Sequence, residues 1–169
     1  MSTLFSIKTD LDGNMMPEFS SVNGEGRLMS QALTISNVNS FNKLAETLKI
    51  DKFRQWVIEK VNLSFEMVDG KVFVKPFTTA LGNTKAEISG WNSFDQTLEY
   101  VMQLNIPRSE FGGAANNILN NLVSEANRKG ANFSIGEMIP VAVLIGGTIS
   151  DPTITTSLKT AAGSAVEQM

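Results

Sequence analysis

The stretch IPVAVLIGGTISDPTI, Ile139 to Ile154, joins an apolar run to two glycines, the raw material of a phosphate-gripping loop. Gly146-Gly147 lacks the GxGxxG spacing and the Lys-Ser/Thr of a P-loop, and no amphipathic helix opens after it. The pair is therefore expected to bend or thin a strand that Asp151-Pro152 stops. In NGEGR, Asn23 to Arg27, two glycines precede a strand instead of a helix, which reads as a turn. Phe111-Gly112-Gly113 lies near a helix start, where free amides attract anions, but a lone glycine match reads as close packing at helix entry. Asp10 and Asp12 beside Gly13 resemble the opening of a calcium loop, yet the further oxygen ligands and the closing Glu are missing, so a turn is expected. TSLKT, Thr156 to Thr160, is a loose SxxK without the partner motifs of the penicillin-binding enzymes.

The chain has 169 residues and neither cysteine nor histidine. Disulfides, thiolate nucleophiles, histidine triads and His-based zinc sites are excluded by that composition. Catalysis would have to rest on carboxylates, Lys, Ser or Tyr, with several of Asp10, Asp12, Glu66, Glu87 and Lys85 converging in one pocket. No catalytic, cofactor or metal residue is assigned from the sequence. Net charge is −3, from 17 acidic against 14 basic residues, and the basic ones are scattered, which argues against nucleic acid as a partner. With 42% hydrophobic and 18% charged residues the chain suits one folded domain. No apolar run approaches the roughly 18 to 20 residues that span a bilayer, and MSTLFSIKTD lacks the pattern of a signal peptide.

The elements that must position any site have a dominant period of two. In Gln96 to Ile106 one face carries Leu98, Tyr100, Met102, Leu104 and Ile106, and the other Thr97, Glu99, Val101, Gln103 and Asn105. VNLSFEMVDGKVFVKPF reads as a hairpin turning at Asp69-Gly70, which pairs Val68 with Lys71, Met67 with Val72 and Phe65 with Val74. Thr84 to Trp91 alternates and is expected to pair with the next strand, Ile88 facing Tyr100 and Ala86 facing Met102, across an odd-numbered loop. Further strands are expected over Leu4–Leu11, Gly26–Ile35 and Ile139–Ile149. Val38, Phe41, Leu44, Ala45 and Leu48 form a helical stripe capped by Asn39 or Ser40, with a short turn at Asp51 to Gln55. A longer helix runs from Ser109 to about Lys129, stopped by Gly130. The fold class is α+β: a curved, mainly antiparallel sheet of about six to seven strands with two principal helices packed on one face. Residues 1–155 make one domain and 156–169 a weakly structured tail.

The remaining feature is an apolar sheet face, with Phe65, Ile88, Tyr100, Met102 and Leu104 as its candidate residues, in a chain with 8 methionines. Two arrangements satisfy it. Either the helices roof the sheet and make an ordinary core, or part of the face stays open as a groove.

The order of elements resembles the C-terminal region of AsmA-like proteins over nearly the whole chain. The residues carrying the resemblance are GEGRLMSQALTIS, FNKLAETLKIDKFRQW, the V-D-G-K hairpin, a strand ending in ISGW, an alternating strand closing in NIPRSEF, and IPVAVLIGGTISDPTI. The resemblance implies a periplasmic domain in the envelope of Gram-negative bacteria, serving phospholipid transport or outer-membrane assembly through an apolar sheet. It further implies an inner-membrane anchor outside this chain, phospholipid or envelope proteins as partners, and no cofactor. An interaction module that pairs through an edge strand is the other expectation, and an enzyme is not expected.

Overall fold

The computed structural model describes residues 2–158. Eight strands form one open antiparallel sheet whose spatial order is the sequence order. They are β1 (Ser2–Lys8), β2 (Asn23–Ser36), β3 (Gln55–Val68), β4 (Lys71–Leu81), β5 (Thr84–Ser93), β6 (Leu98–Pro107), β7 (Met138–Gly147) and β8 (Pro152–Leu158). Helix α1 (Asn39–Leu48) leaves the meander between β2 and β3, and α2 (Ala114–Arg128) between β6 and β7. Apolar residues of both helices share a single core with one face of the sheet.

The local hairpin signals act as chemistry requires. Asp69 and Gly70 take φ of 49° and 75°, and the β3–β4 register pairs Phe65 with Val74, Met67 with Val72 and Val68 with Lys71. At β5–β6 the face is as expected but the register differs by two residues: Ile88 opposes Met102, Ala86 opposes Leu104, and Gly90 opposes Tyr100. The cause is the turn. Ser93 N–H donates to the Thr97 carbonyl at 2.9 Å, closing a three-residue loop in which Gln96 takes φ of 74°. Parity follows from alternation, whereas register follows from where the loop closes.

The eighth strand corrects the expected tail. Asp151-Pro152 ends no sheet; Thr148 N–H donates to the Asp151 carbonyl at 3.2 Å, the chain reverses, and β8 runs back along β7 to Leu158. Pro152 begins this edge strand, where its missing N–H disturbs no ladder, and β-branched threonines alternate with Pro152, Ile154 and Leu158 turned toward the core. Residues 159–169, with the Lys159 of the loose SxxK, lie outside the described residues.

Three other boundaries differ. NGEGR is no turn, since Gly24 and Gly26 sit inside β2 and pair with Met67 and Phe65. The helix cap falls on Val38, with no side-chain cap, because the Asn39 carboxamide donates instead to the Ile149 and Ser150 carbonyls at 3.4 and 3.2 Å. Helix α2 begins at Ala114, since Gly113 at φ 53° separates it from a short turn at Arg108–Glu110.

Along β3 the buried positions pass from Trp56 and Ile58 to Val61 and Met67, a change of phase at Lys60, whose φ is 53°. β2 changes phase at the same place, from Leu33 and Ile35 to Ser30 and Leu28. Because both strands carry the extra residue, pairing resumes in one register, Ala32 with Glu59 and Ser30 with Val61. The helix-facing surface of the sheet thus stays apolar on both sides of the irregularity.

Candidate binding cleft

Cross-strand pairing lines up one residue from each strand. Phe5, Gly26, Phe65, Val74, Gly90, Tyr100, Ile145 and Ile154 oppose one another in sequence across all eight strands. Directly paired residues share a face, so this row is apolar from one edge to the other. Its two glycines permit close approaches: a Cβ on Gly26 would fall 2.3 Å from Phe65 Cζ, and one on Gly90 2.3 Å from the Glu99 backbone oxygen and 2.6 Å from Tyr100 Cδ1. A neighbouring row, Phe77, Ile88, Met102 and Val143, runs parallel to it.

The helices cover these rows unequally. Phe41 and Phe53 stack on Trp56 with ring centroids 5.1 and 5.8 Å apart, and the Trp56 indole N–H donates to the Phe53 carbonyl at 2.9 Å. That anchor seats α1 over β3. Lys43 Nζ donates to the Pro152 carbonyl at 2.6 Å and pairs with Asp151 at 3.3 Å, fastening α1 to the β7–β8 turn. Lys52 bridges to Glu110 at 2.7 Å and donates to the Thr84 hydroxyl at 3.0 Å, which joins the turn after α1 to the turn before α2.

Between the start of α1 and the sheet these contacts leave a cleft of about 550 Å³. Leu63, Val74, Phe77, Ile88, Tyr100 and Met102 supply its apolar wall, and Asn37, Asn39, Ser40 and Asn92 its few polar residues. Its volume lies in the range of about 300–1,000 Å³ usual for small-molecule sites. The Tyr100 hydroxyl donates to Asn92 Oδ1 at 2.9 Å, and burial raises the pKa of the phenol, so its neutral donor form is favoured.

Of the five residues expected from the sequence, Ile88, Tyr100 and Met102 line this cleft. Leu104 shares the buried core with Ile88 and Met102 but does not line the cleft. Phe65 lies on the Tyr100 row but nearer the β1 edge, beside a second depression bounded by Leu4, Phe5 and Gly26. The polar contributors Asn37, Asn39, Ser40 and Asn92 are not legible in the sequence: Asn39 and Ser40 read as caps and Asn92 as loop, where no periodicity marks a lining residue.

Of the residues considered for acid–base chemistry, only Lys85 and Glu87 share a depression, on the outer face of β5, and Asp10, Asp12 and Glu66 lie outside it. Asp12 Oδ1 accepts from the Asn14 and Met16 amides at 2.8 and 2.9 Å and holds its own turn, as expected. Glu66 pairs with Lys75, while Lys85 and Glu87 are exposed positions of β5. Among the described residues no group of three or more acidic side chains is placed to hold a metal ion. Asp95 is lowered to about 2 because the Ser93 and Thr97 hydroxyls and the Thr97 amide donate to it, a turn-locking role on an exposed loop.

No family model matches the chain, and neither a curated protein nor a solved structure matches it. No helix among the described residues is long and apolar enough to cross a membrane.

Proposed function

We propose that this chain is a non-enzymatic lipid-handling domain of the AsmA-like kind, working in phospholipid transport or outer-membrane assembly through the helix-facing side of its sheet. The observation that carries the reading is the apolar row from Phe5 to Ile154, roofed at one end and opening into the cleft at Tyr100 and Val74. An apolar chain laid there would replace water on Leu63, Val74, Phe77 and Tyr100, at roughly 25 cal/mol per Å² removed from solvent. The few polar groups would orient it. A periplasmic location and an inner-membrane anchor outside this chain belong to the same reading.

The test is to purify the 169-residue chain from bacteria, extract it with organic solvent and analyse the extract by mass spectrometry. Co-purifying lipid, and acceptance of labelled phospholipid from vesicles, are expected. A lipid-free protein that takes nothing from vesicles sinks the proposal.

A specific feature favours a second reading, an interaction module that pairs through an edge. All seven residues of β1 are exposed, with Leu4, Phe5 and Ile7 at 79, 59 and 50%. Such an edge offers unpaired backbone groups and an apolar face to another strand. Under this reading Ile7→Lys abolishes association with an envelope partner or a second copy, measured by light scattering, and leaves lipid content unchanged.

A further inference from the structure

We infer that the cleft recognises an amphiphile by both ends, holding a compact anionic head, carboxylate or phosphate monoester, at the start of α1 and its acyl chain along the sheet. This rests on the lipid-handling reading and adds the head-group chemistry to it.

The first turn of α1 forms part of the cleft wall, through Val38, Asn39 and Ser40. Its cap, Val38, has no side-chain acceptor, so the amides of Asn39 and Ser40 lack both an intrahelical partner and a capping oxygen. The turn and cap bonds begin only with Phe41 and Asn42, whose amides donate to the Val38 carbonyl at 3.1 and 3.0 Å. Helix polarity adds a partial positive charge at the same point. The second, independent observation is Ser40 itself. The residue is only 7% exposed, it lines the cleft, and its hydroxyl makes no hydrogen bond among the described residues. That hydroxyl opens onto the cleft, since it is not among the buried unpartnered side-chain atoms, and an anion at the cleft end would accept from it and from the adjacent amides together.

The sequence elsewhere disposes of the competing uses of these groups. Asn39 is drawn off to the Ile149 and Ser150 carbonyls and Lys43 to Asp151 and Pro152, so neither fills the anion position. From Ser40 the apolar wall continues over Tyr100, Val74 and Leu63 toward the exposed β1 edge, which gives the chain a direction. Selectivity would come from the head. Apolar contact alone scarcely distinguishes an alkyl acid from an alkyl alcohol of equal length.

The experiment is isothermal titration of the delipidated full chain with decanoate, decyl phosphate, 1-decanol and inorganic phosphate. Decanoate and decyl phosphate are expected to bind roughly tenfold or more tightly than decanol, the scale of one charge-assisted hydrogen bond. Inorganic phosphate without a chain should give no measurable heat. Ser40→Ala should weaken the two anions about three- to tenfold and leave decanol unchanged. Val38→Asp places a carboxylate on the same amides; it should remove the preference for anions, keep decanol binding, and raise the melting temperature. Equal affinity for decanoate and decanol, or a preference untouched by both variants, overturns the head assignment while leaving an apolar cleft. Inorganic phosphate binding as well as decanoate overturns it by showing a plain anion site. No binding of any alkyl probe overturns it together with the lipid-handling reading.

Discussion

The strands β5 to β8 and the wing of β1 and β2 are built from the same alternation, yet they stand in different solvents. In the first region Ile88, Met102, Leu104, Val141 and Val143 are buried beneath the helices, each such side chain contributing on the order of 1.5–3 kcal/mol. In the wing, Phe5 and Ile7 continue the same surface and are exposed, with none of the described residues covering them. Alternation therefore sets which side of a strand is apolar, and the reach of the helices sets whether that side is core or available surface. The cleft lies on the boundary between the two, which is where an apolar wall and a partly solvated rim can meet.

The sharpest break of this contrast comes at the anchor of the roof. Trp56→Ala removes the ring on which Phe41 and Phe53 stack and is expected to cost about 3–5 kcal/mol in urea unfolding. A loss below about 1 kcal/mol would mean that α1 is held by its ion pairs instead. Within the open wing, Gly26→Ala presses a methyl group on the Phe65 ring and should cost about 1–3 kcal/mol. Adding Phe65→Ala should recover part of that loss, and a strictly additive double variant would show that the ring is not seated on the glycine.

Smaller effects mark the rim. Val38→Thr, nearly the same shape, supplies the missing cap oxygen and should stabilise the fold by about 0.5–2 kcal/mol, read from the denaturation midpoint. An unchanged midpoint would place another acceptor on those amides. The weakest expected effect lies at the β5–β6 turn. Because Asp95 is held at about 2 when folded, its stabilisation is complete above the unfolded carboxylate value near 4 and is lost as pH falls toward 2. Comparing wild type with Asp95→Asn between pH 5 and pH 2 checks this: the variant should unfold more easily at pH 5 and match wild type at pH 2.

How far the sequence spoke depended on how local each cause was. Asp69-Gly70 fixes its hairpin through two adjacent residues that tolerate positive φ, and the register follows by counting. The β5–β6 pairing was off by two because loop closure at Ser93 and Thr97 depends on the Asp95 side chain, which alternation does not report. The residues after Asp151 look small and polar one at a time, whereas against β7 Thr153 and Thr155 become the outward half of a strand. Gly24 and Gly26 read as a turn until Phe65 and Met67 stood opposite them. Three of the five candidate face residues reached the cleft, while Leu104 went under the roof and Phe65 toward the open edge.

By itself, then, the sequence determined a sheet-rich fold without histidine or cysteine chemistry, and the side of each strand that would be apolar. Those are consequences of composition and of a period of two, properties a chain carries before it folds. The tertiary structure decided where the helices end over the sheet, which rows they bury, and that an uncapped helix start with Ser40 beside it opens onto the uncovered remainder. These depend on contacts between residues far apart in the chain, such as Lys43 with Asp151 and Lys52 with Glu110, whose partners no local pattern names.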